Sequence, residues 1–180
     1  MGSLPPAAPG ITQGGIYPAL DYLITSNRQG LGDAVPAYDD GTLNAAGKRV
    51  VVIGGGDTAM DCVRTAVRQG AKSVKCLYRR DRANMPGSLR EVANAEEEGV
   101  EFVWLTAPEA FIDGDDGQVR AVKCSAIHLG VADATGRQTP RKVAGSERDI
   151  DADMVIMALG FDPEELPVLF AAPELAVSRW

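Results

Sequence analysis

The stretch Val50-Val51-Val52-Ile53-Gly54-Gly55-Gly56-Asp57-Thr58-Ala59-Met60-Asp61 decides the fold. Its first four residues are apolar and mostly β-branched, which predicts a strand buried on both faces, running from Arg49 to Ile53. Glycines follow at once. From Thr58 to Gln69, apolar side chains at Ala59, Met60, Val63, Ala66 and Val67 form one stripe of an amphipathic helix, stopped by Gly70. Between strand and helix, Gly54, Gly56 and Ala59 fit the spacing G-x-G-x-x-G/A. Gly54 permits a tight turn, Gly56 lets backbone approach a pyrophosphate, and Ala59 lets the helix lie close to the sheet. The free N–H groups and positive dipole end of such a helix face the phosphates. A glycine pattern alone is weak; its place between a buried strand and an amphipathic helix makes it specific for a dinucleotide. Asp57 is electrostatically unhelpful beside a pyrophosphate, and its expected role is to cap the helix or a loop N–H.

The next strand, Ser73 to Tyr78, tests which dinucleotide. An NAD site places an acid there, about 20 residues beyond the fingerprint, on the ribose 2′-hydroxyl. This sequence has Arg79-Arg80 instead, and guanidinium groups suit the 2′-phosphate of NADPH. Asp81 follows directly, with Arg82 after it. A helix starting at Ser88, with Glu91 completing a capping box, and a strand from Glu101 to Leu105 extend the pattern to β-α-β-α-β. Upstream, Ile16, Leu20, Leu23 and Ile24 predict a helix from Ile16 to Arg28, and Gly32 to Gly47 reads as a surface loop. Downstream, Ala110–Ile112 and Val119–Leu129 flank the turn Asp113-Gly114-Asp115-Asp116-Gly117 and predict a hairpin. Ala132 to Ser146 reads as a long exposed turn, and Asp153 to Leu159 as a buried strand broken by Gly160. The expected fold is α/β: a Rossmann-like parallel sheet with helices on both faces plus a small antiparallel β hairpin or meander.

Composition narrows the function. A net charge of −7 disfavours a nucleic-acid partner, because phosphate backbones recruit basic surfaces. The three cysteines Cys62, Cys76 and Cys124 stand far apart and give no zinc, iron–sulfur or disulfide spacing. No apolar run is long enough to span a membrane, and the expected compartment is the cytoplasm. His128, the only histidine, reads as solvent-facing or structural, Glu96-Glu97-Glu98 as a solvated helix end, and Trp104 and Trp180 as packing residues without a stacking constellation. No nucleophile, metal spacing or carboxylate pair offers bond-making chemistry, so no catalytic residue is assigned. Two alternatives stay open: FAD on the glycine loop, and a docking module that has kept the fold without the ligand.

Four stretches carry a family resemblance: Val51 to Cys62, Tyr78-Arg79-Arg80-Asp81-Arg82-Ala83-Asn84-Met85-Pro86-Gly87, Ala95 to Val100, and Ala158-Leu159-Gly160-Phe161-Asp162-Pro163. From about Gly15 to Trp180 the chain resembles the small (β) subunit of bacterial NADPH-dependent glutamate synthases. The resemblance implies hydride transfer from NADPH to FAD, then electron flow through iron–sulfur clusters to FMN on a large subunit, where glutamate forms. It also implies that Gly54, Gly55, Gly56, Asp57 and Thr58 hold the pyrophosphate with Ala59 behind them. Arg79 and Arg80 would hold the 2′-phosphate, and Ala158, Leu159 and Gly160 would lie near the nicotinamide. The family's FAD fingerprint, upstream cysteine clusters and downstream Gly-Asp segment are missing from this sequence. FAD and iron–sulfur clusters are therefore expected in the parent enzyme and not on this chain. Its expected partners are NADPH, the flavin domain and the large subunit. The implied organisation is an arm, helix and linker over residues 1–47, the NADPH-binding domain over 48–162, and a linker over 163–180 toward the flavin domain. On this reading the chain binds NADPH without completing turnover by itself.

Overall fold

The computed structural model describes residues 14–160, apart from Thr135 and Arg137; the start of the expected arm, Phe161 and Asp162, the expected linker 163–180 and Trp180 lie outside them. Five strands form a parallel sheet: β1 (Ile16–Pro18), β2 (Arg49–Ile53), β3 (Ser73–Leu77), β4 (Glu101–Val103) and β9 (Met154–Met157), in the order β1-β9-β2-β3-β4. Four further strands, β5 (Thr106–Asp113), β6 (Val119–Ala132), β7 (Gln138–Lys142) and β8 (Arg148–Asp151), form a second, antiparallel sheet. The helices are α1 (Ala19–Gly30), the short α2 (Pro36–Asp39), α3 (Asp57–Arg68) and α4 (Leu89–Glu97).

Strand alternation splits the core into two layers. Val50, Val52, Val74, Cys76, Met154 and Ile156 pack on one face with Tyr22 of α1, Met60 and Val63 of α3, and Val92 of α4. Val51, Ile53, Leu77 and Val155 point the other way, onto Phe111, Val119, Val122, Cys124 and Ile150 of the second sheet. The α/β class is as expected, but the layering differs from helices on both faces: α1, α3 and α4 share one face, and the antiparallel sheet covers the other. The physical reason is the crossover from β4 to β9, which is made of strands, so its inward-facing apolar side chains come from β5, β6 and β8. Burying each Val, Ile or Leu of this central sheet contributes about 1.5–3 kcal/mol.

Several local expectations are corrected. The helix foreseen from Ile16 begins at Ala19, because Ile16, Tyr17 and Pro18 pair with Val155, Ile156 and Met157. Within the stretch Gly32 to Gly47, read as a surface loop, Ala45 is fully buried and joins the same core as Tyr22 of α1. The long turn after Ala132 contains β7, whose Lys142, Arg141 and Pro140 pair with Ile127, His128 and Leu129. Ser88 stands at the N-cap of α4, but its side chain makes no capping bond, and Glu91 pairs with Arg64 of α3 instead. Glu98 also binds Arg64 at 2.7 Å and Arg68 at 2.9 Å, so the acidic run joins α4 to α3 as well as meeting solvent. Trp104 does stack, on Phe102 with centroids 4.9 Å apart, and meets Tyr78 edge-on. The β5–β6 hairpin forms as expected, and His128 is exposed.

Candidate functional site

The residues singled out by sequence converge at the carboxyl ends of β2, β3 and β9. From β2 the chain winds outward through α3 to β3 and through α4 to β4, then returns to place β9 on the other side of β2. The β2/β9 boundary is therefore the point where strand order reverses, which is where open α/β sheets take ligands.

Gly54 leaves β2 with φ +152°, and a Cβ built on it would lie 2.2 Å from the Ala158 carbonyl oxygen. The two strand ends approach this closely because Gly54 has no side chain; Ala158 N donates to Ile53 O at 2.9 Å. Gly55 is enclosed differently: a Cβ there would meet the Tyr78 ring at 2.4 Å, and its carbonyl accepts from Gly87 N at 2.9 Å. Gly56 is the N-cap of α3, and a Cβ on it would meet nothing within 4 Å. The open approach to the helix start is thus at Gly56. No side chain caps the first turn of α3, which leaves its N–H groups available to an anion. Ala59 is fully buried against the sheet, Thr58 is half-buried, and Asp57 is exposed. The Asp57 carboxylate accepts from Ser88 N at 2.9 Å, the loop-capping role expected of it.

Arg79 and Arg80 follow β3 after Tyr78 and are both half-buried. Neither forms an ion pair with a described carboxylate, and Arg80 Nε is buried without a hydrogen-bond partner. An orphaned buried guanidinium N–H is costly unless a ligand meets it. The neighbouring charges are engaged elsewhere. Asp81 accepts from Asn84 N at 3.0 Å and Nδ2 at 2.7 Å, capping the short 3-10 turn Arg82–Asn84, and Arg82 pairs with Glu96 at 2.7 Å. Burial pushes the Tyr78 phenol up, partly offset by Arg80 and Arg79, and its hydroxyl donates to Asn84 O at 2.9 Å. Beyond β9, Ala158 is buried, Leu159 is half-buried against the antiparallel sheet, and Gly160 is exposed with φ +96°.

Sequence reasoning missed two parts of this arrangement. The segment Pro86-Gly87-Ser88 folds onto the glycine loop, for which the Pro-Gly pair signalled a turn but not its destination. Leu105 adopts φ +51°, with its N–H on Arg80 O at 3.1 Å and its carbonyl accepting from Ile127 N at 2.7 Å. That bend holds the backbone of Arg80 beside the β4–β5 junction.

A cleft of about 1010 Å³ opens at the opposite, amino edge of the parallel sheet, lined among others by Gly15, Lys48, Arg49, Asp115 and Asp153. Its volume is ample, but its cations are already satisfied: Arg49 pairs with Asp153 and Asp151, and Lys48 Nζ donates to Gly41 O. Parallel sheets bind ligands at the other edge, so chemistry outweighs volume here. The three thiols are buried, and burial pushes each up to about 12, which leaves them unreactive. Among the described residues no group of three or more His, Cys, Asp or Glu is placed to hold a metal ion, and no helix is long and apolar enough to cross a membrane.

The chain is 68% identical over 173 residues to the glutamate synthase (NADPH) small chain of Azospirillum brasilense, covering 96% of this chain and 36% of that protein. It is 52% identical over 152 residues to the corresponding small chain of Escherichia coli K12, covering 84% and 32%. The β subunit of an NADPH-Fe(3+) oxidoreductase of Geobacter sulfurreducens is 48% identical over 118 residues, covering 66% and 18%. The chain thus spans about a third of the length of the glutamate synthase small chains it matches. Among solved structures, Mycobacterium tuberculosis FprA in complex with NADPH superposes with a TM-score of 0.72 at 16% identity, covering 92% of this chain and 49% of that one. A thioredoxin reductase of T. acidophilum superposes at 0.54 with 17% identity, covering 84% and 38%; at such identities the likeness concerns the fold. The family model of pyridine nucleotide-disulphide oxidoreductases matches residues 5–176, and the chain belongs to that family.

Proposed function

We propose that this chain is the NADPH-binding part of a flavin-dependent oxidoreductase of the glutamate synthase small-chain type. The observation that carries the reading is the pair Arg79 and Arg80, free of carboxylate partners among the described residues, beside the uncapped helix start at Gly56. The first turn of α3 receives the pyrophosphate on backbone N–H groups of Gly56, Asp57 and Thr58, with Gly54, Gly55 and Ala59 shaping the turn behind them. The two guanidinium groups receive the 2′-phosphate, and the turn Ala158-Leu159-Gly160 lies alongside the nicotinamide. Local donors do this work against an overall charge of −7.

When bound, NADPH would supply a hydride from its nicotinamide ring, the chemistry that a flavin acceptor calls for. The chain's own residues bind and orient the donor, which is why no general acid or base is needed among them. FAD itself is a poorer fit to the glycine loop, because it has no 2′-phosphate to meet Arg79 and Arg80. The flavin domain, the iron–sulfur clusters, the large subunit and glutamate formation belong to the rest of such an enzyme.

Calorimetric titration of the purified chain with NADPH, NADH and FAD tests this. Saturable NADPH binding, well ahead of the other two, is the expected result. Stoichiometric FAD binding would overturn the cofactor assignment, and no binding by any of them would favour a docking module that has lost its ligand.

A further inference from the structure

A carboxylate at the mouth of a pyrophosphate site works against the ligand's charge, so Asp57 requires a compensating role. Its Oδ1 accepts from Ser88 N at 2.9 Å, across 31 residues of chain. One residue earlier, Gly87 N donates to Gly55 O at 2.9 Å, and a Cβ on Gly87 would sit 3.0 Å from that oxygen and 3.7 Å from Asp57 Oδ1. The segment before α4 is thus seated on the glycine loop by two adjacent bonds. Its other end is fixed too: Tyr78 packs its ring on Gly55 and donates its hydroxyl to Asn84 O, while Asp81 closes the 3-10 turn on Asn84. Residues 78–88 therefore form a closed loop that starts and finishes on the glycine turn and carries Arg79 and Arg80 within it.

We propose that Asp57 is a positioning residue: it latches the β3–α4 loop onto the glycine turn, which fixes the phosphate-binding arginines relative to the helix start. This rests on the assignment of NADPH to that site. A hydrogen-bond acceptor at this position is what the geometry uses, and the negative charge is incidental. Asn can supply the same acceptor through its amide oxygen, and Ala cannot.

The proposal gives opposite signs from its rivals. If Asp57 were only an unfavourable charge, Asp57→Ala and Asp57→Asn would both tighten NADPH. If it served only the α3 dipole, both would lower the melting temperature alike and leave Ser88 untouched. As a latch, Asp57→Ala weakens NADPH about ten-fold, the equivalent of one hydrogen bond at about 1.4 kcal/mol. Asp57→Asn binds as well as the wild type or slightly better.

The experiment is calorimetry with NADPH on the full chain and both variants, paired with amide hydrogen exchange at Gly87 and Ser88 without ligand. Faster exchange at these amides in Asp57→Ala alone, together with the ten-fold loss, is the expected result. Equal affinities for the two variants, or unchanged Ser88 exchange in Asp57→Ala, would overturn it. Should the wild type bind no NADPH, the cofactor assignment fails, and the exchange comparison still decides whether the latch exists. Asp57 is exposed and Ala suits a helix start's first turn, so both variants retain the fold.

Discussion

Gly54 and Gly56 belong to one fingerprint, yet the structure gives them different tasks, and alanine substitution separates the two. At Gly54 the added methyl would stand 2.2 Å from the Ala158 carbonyl oxygen, where ordinary contact begins at 3.4 Å. Clearing it requires β2 and β9 to part by about 1 Å at the centre of the sheet, and overpacking of this kind costs about 1–3 kcal/mol. The backbone at φ +152° is strained for any residue with a Cβ, adding about 1–3 kcal/mol. We expect Gly54→Ala to lose about 4 kcal/mol, a large part of a typical domain's stability, and about 12 °C in Tm. At Gly56 the methyl meets nothing within 4 Å, and φ −91° with ψ 177° suits alanine. There the loss of a good N-cap, about 0.5–1 kcal/mol, is offset by a similar gain from a less flexible unfolded chain. Gly56→Ala should keep its stability within about 0.5 kcal/mol yet lose NADPH affinity at least about ten-fold, because the methyl occupies the approach of the pyrophosphate. Denaturant unfolding and calorimetry on both variants read the two effects separately. A Gly54→Ala protein within about 1 kcal/mol of wild type would refute the close approach of β2 and β9. Equal ligand loss with equal destabilisation in the two variants would refute the division of labour.

Three further outcomes follow from the geometry. Arg79→Ala combined with Arg80→Ala should weaken NADPH by about 3 kcal/mol while leaving NADH nearly unchanged, measured by parallel titrations. Equal losses for both ligands would defeat the 2′-phosphate assignment. Hydrogen bonds from the Arg49 side chain and backbone hold the Asp153 carboxyl below the usual carboxylate range, so its contribution is fully present above the unfolded-state value and is lost as pH falls through the folded one. Asp153→Asn should therefore flatten the acid limb of the stability profile, by on the order of 1 kcal/mol after solvent screening, in denaturant melts at stepped pH. Cys62, Cys76 and Cys124 should resist a thiol reagent at pH 8 in the native protein and all three react in guanidinium, a test of their burial.

The site-bearing part of the fold was legible because burial and geometry both leave marks in sequence. Val50 to Ile53 are apolar in unbroken succession because the strand has protein on both faces, and the glycines mark where the chain turns over another strand end. Where burial is absent, the marks vanish. β7 reads Gln138-Thr139-Pro140-Arg141-Lys142, with exposed and half-exposed positions throughout, so nothing apolar announces it. β1 was masked by its own neighbour: Ile16 falls in step with the periodicity of α1, and only its pairing with Val155 separates strand from helix. The layering was hidden because β6 alternates equally well for a free hairpin or for a sheet packed on a sheet. At the site, Arg79 and Arg80 were visible as charges out of place for an NAD pocket. The bond from Ser88 to Asp57 was not, since a backbone N–H carries no residue code.

The position of β9 has a consequence for how the protein comes to be folded. It is the final strand of the described residues, yet it is wedged between β1 and β2, and its flanking contact of Arg49 with Asp153 closes 104 residues of chain, an entropic cost on the order of 4 kcal/mol. The segment from β2 through β4 draws on nearby contacts and can collapse first, with the hydrogen-bonding edge of β2 left bare. The glycine turn is then complete only when Ala158 docks against Gly54. During synthesis the nascent chain carries that unpaired apolar strand until the ribosome has added about another hundred residues, an interval of roughly ten seconds in which it is most exposed to mispairing. Refolding followed by far-ultraviolet signal and by NADPH binding should show the helices recovering before the ligand site.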